Sequence, residues 1–221
     1  MLVLAFDTAT AAVTVALHEW SPGEGTQLCA AAETADRRHA EHLAPSITSV
    51  LMQAGVVRTD LSAVVVGVGP GPYTGLRVGL ATAQGLGFAL RIPVHGVCTL
   101  DAIAWASSST TPFVVATDAR RKEVYWARYD SALARASELA VGPPADAAAP
   151  GLPVMGEGAA LYPDALGAPA GPVRPSATAL AELAITRLSG APGPPLLPPE
   201  PLYLRRPDAR MPGARKKVTQ A

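Results

Sequence analysis

Apolar and polar positions divide the chain into short buried runs separated by turns. Leu2 to Phe6 is apolar and ends in Asp7-Thr8-Ala9-Thr10, and Val13 to Leu17 is a second apolar run. This predicts a strand over 2–7, a polar turn, and a returning strand over 12–19. A third strand is expected over 27–33, after the loop Ser21 to Gly25. Leu43, Ile47, Val50 and Leu51 recur at i, i+4, i+7 and i+8, one face of a helix from about Arg38 to Ala54, with Pro45 expected to kink it or mark a late start. A buried strand over 62–68, a helix over 74–90 and a strand over 92–97 complete a βαβ-like unit, and a helix over 99–107 leads out of this first unit.

The run SSSTTP at 107–112 reads as a boundary. Beyond it a strand over 113–118, a hairpin through Asp118-Ala119-Arg120-Arg121-Lys122 and a strand over 123–130 open a second unit. Residues 142–153 read as a surface loop, 154–160 as a strand and glycine turn, and 177–188 as a helix. The proline-dense stretch 190–201 is expected to be extended. The division is thus 1–106, 107–205 and a basic, flexible tail at 206–221 that carries Arg206, Arg210, Arg215, Lys216 and Lys217 against Asp208.

The chemistry concentrates in GVGPGPYTGLRVGLATAQGLG at 67–87. A strand, a glycine-rich loop and a helix N-terminus can hold an anion on free backbone N–H groups, with Thr74 as the cap. The same glycines also suit a tight strand-to-helix turn that serves packing. No Gly-Lys-Ser/Thr follows, so this is not a P-loop, and Gly69, Gly71 and Gly75 do not match the dinucleotide fingerprint. Small residues Gly79, Ala81, Ala83, Gly85 and Gly87 alternate with larger ones along the helix and favour close helix packing.

The 221 residues include 18 basic and 18 acidic side chains, so the whole chain has no electrostatic footprint for nucleic acid. Aromatics are only 5%, which leaves Ala, Val and Leu to build the core. Cys29 and Cys98 lie far apart with no CxxC and read as reduced, buried thiols. Met1 leads straight into the first strand, and no apolar run nears the ~20 residues that span a bilayer, so the expected location is cytoplasmic, with no membrane partner. No Ser, Cys or His arrangement of a hydrolase is present.

The blocks AFDTAT, RRHAEHLAPSI at 37–47, GPGPYTGLRVGLATAQGLG, IPVHGVCTLDAIA at 92–104, DARRKEVYWARY at 118–129 and PLYLR at 201–205, in that order, resemble the TsaB (YeaZ) family up to Arg205. The resemblance implies an α/β, two-lobed actin-like ATPase (ASKHA, ribonuclease-H-like) fold. It implies a non-catalytic scaffold or activator subunit that binds TsaD, with TsaE reached through the complex, in N6-threonylcarbamoyl modification of the adenosine beside the anticodon of ANN-decoding tRNAs. A second copy of the chain is another implied partner. ATP is then used by the assembled complex, and no cofactor is intrinsic to the chain. Asp7, Thr8, Gly69, Gly71 and Thr74 would be degenerate phosphate turns, Asp118 would open a second one, and no catalytic residue is assigned. No metal ligand is assigned either: His39 and His42 stand in HAEH, one residue short of the His-x-x-x-His pair of the TsaD relatives. The interface falls on His39, His42, Leu43, Ile47, Val50, Leu51, Arg77, Val78 and Ala81, and Leu51→Glu is expected to abolish partner binding while the chain stays folded. The rival reading is an independent ATP-dependent kinase or transferase of the same superfamily.

Overall fold

A computed structural model describes residues 1–21, 25–34 and 38–205; the expected basic tail at 206–221 lies outside them. Strands β1 (Leu2–Asp7), β2 (Val13–Ser21) and β3 (Gly25–Thr34) form an antiparallel meander. Helix α1 (His39–Ala54) then leads to β4 (Leu61–Gly67), α2 (Tyr73–Leu90), β5 (Val94–Val97) and α3 (Thr99–Ser107). β4 lies parallel to β1, and β5 parallel to β4, which gives the sheet order β3-β2-β1-β4-β5. That arrangement is the ribonuclease-H-like sheet of an actin-like lobe.

Alternation along β1 explains how both faces are buried. Leu4 and Phe6 pack with Leu43, Ile47, Val50 and Leu51 of α1 and Leu76 and Leu80 of α2. Val3 and Ala5 point the other way, as period two requires. The N–H that Pro45 lacks does not break α1, which runs through it as one helix from His39 and ends at Gly55 in the left-handed region.

The second sheet repeats the plan in reduced form. β6 (Phe113–Arg120) and β7 (Glu123–Ser131) are antiparallel, with short β8 (Ala134–Arg135) and β9 (Ala140–Gly142) on β7. Helix α4 (Pro144–Ala147) follows, within the stretch expected as loop, and β10 (Val154–Met155) lies parallel to β6 as β4 does to β1. Helices α5 (Glu157–Leu161) and α6 (Pro163–Leu166) come next, and then α7 (Ala177–Leu188).

Helix α7 occupies the range expected for it but not the expected lobe. It packs on β1 and β2 of the first sheet, where Ala5, Ala16 and Ala63 leave room for Ala177, Ala181 and Ala184 to approach. The extended segment after it also returns to the first lobe. Leu197 pairs with Gly96, and the Leu202 N–H donates to the Val68 carbonyl at 2.9 Å. Cys98, Leu100 and Ile103 share a core with Phe113, Val115 and Tyr129, so the lobes are welded at α3. No helix among the described residues is long and apolar enough to cross a membrane.

Candidate functional site

The two Asp turns are built alike. Asp7 Oδ1 accepts the Ala9 N–H at 2.7 Å, and Asp118 Oδ1 accepts the Arg120 N–H at 2.8 Å. Each carboxylate closes its own turn two residues on, as Asp does in such turns. What differs is what lies over them.

The first turn is shut by α2. The Thr8 hydroxyl donates to the Gly75 carbonyl at 2.8 Å. A Cβ on Gly71 would lie 2.2 Å from the Ala9 carbonyl oxygen, one on Gly75 2.4 Å from that of Thr8, and one on Gly79 2.4 Å from Thr8 Oγ1. Asp7 and Thr8 are fully buried, and the Thr99 hydroxyl donates to Asp7 Oδ2 at 2.7 Å while accepting the Gly69 N–H. Burial pushes the Asp7 carboxyl above its usual range, against the lowering effects of these hydrogen bonds. The glycines bring helix backbone onto the turn, so Gly71, Gly75 and Gly79 make close packing contacts with Thr8 and Ala9 there. Thr74 does not cap the helix: Pro72 holds that position, without a side-chain hydrogen bond.

The second turn is open. It borders a cleft of about 430 Å³ between the lobes, lined by Tyr73, Arg120, Arg121, Tyr125, Tyr203 and Arg205, with Gly71 at its edge. Arg120 pairs with Asp118 at 3.1 Å. Arg205 donates to the Ala119 carbonyl at 3.1 Å and pairs with the Glu123 carboxylate, so the C-terminal segment is tied to the second lobe. Tyr203 stacks on Tyr73 with centroids 5.4 Å apart, and the Arg77 guanidinium sits 3.9 Å from the Tyr73 centroid.

Residues 31–162 match the TsaD family model, described as tRNA N6-adenosine threonylcarbamoyltransferase. An uncharacterized protein of Mycobacterium tuberculosis is 46% identical over 219 residues, which covers 94% of this chain and 93% of that protein. The TsaB of Escherichia coli, a tRNA threonylcarbamoyladenosine biosynthesis protein, is 40% identical over 132 residues, 58% of this chain and 55% of that one. The chain thus spans about half the length of some of the curated relatives that it matches, including 56% of one from Mycobacterium leprae. The solved structure of YeaZ from Pseudomonas aeruginosa superposes with a TM-score of 0.74 at 28% identity, over 92% of this chain and 99% of that one. The chain belongs to the TsaB (YeaZ) family.

In this TsaB-family chain the residues assigned to an interface fall into two groups. Leu43, Ile47, Val50 and Leu51 are buried against the first sheet, because the apolar stripe of α1 is the stripe its own core requires. They are corrected to core residues, and Leu51→Glu is expected to unfold the lobe rather than report on a partner. His39 is also engaged, with its Nε2 2.6 Å from the Thr10 carbonyl oxygen, and Val78 packs partly on the core. His42 is half-buried, and Arg77 and Ala81 are exposed. The small-residue pattern of α2 resolves into two stripes. Gly75, Gly79, Ala83 and Gly87 face inward at four-residue spacing, whereas Ala81 and Gly85 face out with Phe88, which is 89% exposed. Met52 on α1 is 75% exposed. Phe88 and Met52 were not singled out from sequence, whereas Gly85 was read there among the small residues that favour close helix packing and shares a four-residue spacing with Arg77 and Ala81. Cys98 is buried as expected, but Cys29 is exposed.

A buried polar cluster joins the lobes at α3. Asp101 of α3 accepts the Tyr129 hydroxyl at 2.7 Å and pairs with Arg135 at 3.4 Å. Burial raises the Asp101 pKa from 3.8, with Arg135 and the Tyr129 hydrogen bond opposing. Native Asp101 then holds its proton more tightly than the unfolded chain does. Its contribution to stability is fully present below 3.8 and is lost as pH rises through the raised native value. Asp7 has the same sign. Urea midpoints measured against pH are expected to fall above about pH 4, and Asp101→Asn is expected to flatten that fall.

Proposed function

We propose that this chain is a non-catalytic subunit for N6-threonylcarbamoyl modification of the anticodon-adjacent adenosine of ANN-decoding tRNAs, docking on TsaD through the outward faces of α2 and α1. TsaE joins through the complex, and ATP is used by the assembly. The observation that carries the reading is the outward stripe of α2, where small Ala81 and Gly85 allow a partner helix to approach and Phe88 offers an exposed aromatic anchor. Its inward stripe already holds the first turn shut. A kinase or transferase of the actin-like type would need that turn open.

The test is reconstitution with TsaC, TsaD and TsaE of the same organism, with and without this chain. Modification that depends on the chain, with no nucleotide turnover by the chain alone, supports the reading. Modification that proceeds equally without it ends the reading. Phe88→Glu is expected to keep the native melting temperature and to weaken capture of TsaD by at least about 2 kcal/mol, some thirtyfold, since a buried charge would replace an anchor. Unchanged capture in a calorimetric titration would remove α2 as the docking face. Should Phe88→Glu abolish self-association and spare TsaD, the face serves a second copy.

A further inference from the structure

The balanced charge of the chain hides a basic corner at the interlobe cleft. Arg120, Arg121 and Arg205 line it and Arg77 sits on its Tyr73 ring, while Asp118 pairs with Arg120 and Glu123 with Arg205. Its apolar walls include three tyrosines, Tyr73, Tyr125 and Tyr203. Tyr73 and Tyr203 are each about half exposed. The sequence continues from Arg205 at the cleft with five further cations against Asp208.

The turn that supplies the arginines is strained. Arg120, Arg121 and Lys122 have φ of 62, 56 and 62°, three successive non-glycine residues in the left-handed region. Gly or Asn would hold that region with less strain. Cationic side chains kept at such a cost point to a use for the side chains.

We propose that this cleft binds single-stranded RNA, with a base on the tyrosine pair and its phosphates at the arginine turn. Flat aromatic surface beside guanidinium groups is the chemistry that holds an unpaired nucleotide without reading its sequence. A cavity of about 430 Å³ is the right order for one nucleotide unit. Guanidinium groups beside stacked rings favour a phosphate-bearing strand over an acidic peptide, since each phosphate contact adds counterion release. The choice of RNA rests on the tRNA-modification reading above, but the measurement does not need TsaD.

Fluorescence anisotropy of the full chain with a fluorescein-labelled single-stranded RNA of mixed sequence, at about 50 and 200 mM salt, provides the test. Arg121→Glu is expected to weaken binding about tenfold at the lower salt and to reduce the salt slope by one to two. Tyr203→Ala is expected to weaken binding about tenfold at an unchanged slope, and Tyr203→Phe to restore it, because the ring and not the hydroxyl stacks. Arg58→Glu, exposed and away from the cleft, is expected to bind like the parent. Circular dichroism melts check folding, and Arg121→Gln stands in if Arg121→Glu fails to fold. The proposal is overturned if Arg121→Glu and Tyr203→Ala bind RNA like Arg58→Glu. It is also overturned if ATP alone shows the dependence on these residues and RNA does not, which would make the cleft a mononucleotide site. Loss of TsaD capture in these variants with RNA binding intact would make it a protein contact. Loss of RNA binding with TsaD capture intact supports the cleft assignment and leaves the subunit reading standing.

Discussion

Gly75→Ala is expected to destabilise the chain by about 2 kcal/mol although it improves helix propensity by up to about 1 kcal/mol. The new Cβ would lie 2.4 Å from the Thr8 carbonyl oxygen, which is backbone and is fixed by the turn between β1 and β2. Helix α2 would have to move off the turn, which would break the Thr8 hydrogen bond to the Gly75 carbonyl. Overpacking of that kind outweighs the propensity term. Gly85→Ala in the same helix is the control: nothing lies within 4 Å of its added Cβ, so it is expected to gain about 0.5–1 kcal/mol. Thermal melts of the two variants should therefore move in opposite directions, with Gly75→Ala lower by roughly 4–8 °C. A Gly75→Ala protein as stable as the parent would mean that α2 does not clamp the first turn. That result would favour the phosphate reading of its glycines.

The second large effect is expected at Asp7. Asp7→Ala leaves the Ala9 N–H and the Thr99 hydroxyl without their acceptor in a fully buried site, and each orphaned donor costs about 1–3 kcal/mol. Relief of the buried carboxyl offsets part of this, so a net loss of about 3 kcal/mol is expected in urea unfolding. Asp7→Asn keeps an acceptor oxygen for the Ala9 N–H and can donate its amide N–H to the Thr99 hydroxyl oxygen, so it is expected to stay within about 1 kcal/mol of the parent. The pair also separates structure from chemistry. In the kinase or transferase reading Asp7 handles a cation or phosphate, and its amide should be inactive. In the subunit reading Asp7→Asn supports tRNA modification at the parental rate. An inactive but well-folded Asp7→Asn would count against the subunit reading.

Much of the fold was legible because local pattern and global packing agree. The alternation in β1, the i, i+4, i+7, i+8 stripe of α1 and the run of α7 all mark faces that this chain buries against itself. The same agreement explains the main error in the site. A buried stripe and a docking stripe look alike in sequence, so Leu43, Ile47, Val50 and Leu51 were read as a surface when the core had already claimed them.

The glycine loop shows the boundary between the two kinds of information. Sequence alone determined that backbone comes close to something at 67–87, because strand, glycines and helix follow at short spacing. It also determined the family, through ordered blocks up to Arg205, and the Asp turns that open each sheet. Only the tertiary structure decided what the glycines approach. Thr8 and Ala9 lie more than sixty positions away in the chain and reach α2 through the pairing of β1 with β4. It likewise decided that α7 belongs to the first sheet, that α2 has one stripe turned in and one turned out, and that Tyr73, Arg120 and Tyr203 meet at one cleft. Local propensity acts through neighbours within a turn or two, whereas each of these outcomes depends on which distant surfaces remain to be covered once the sheets have formed.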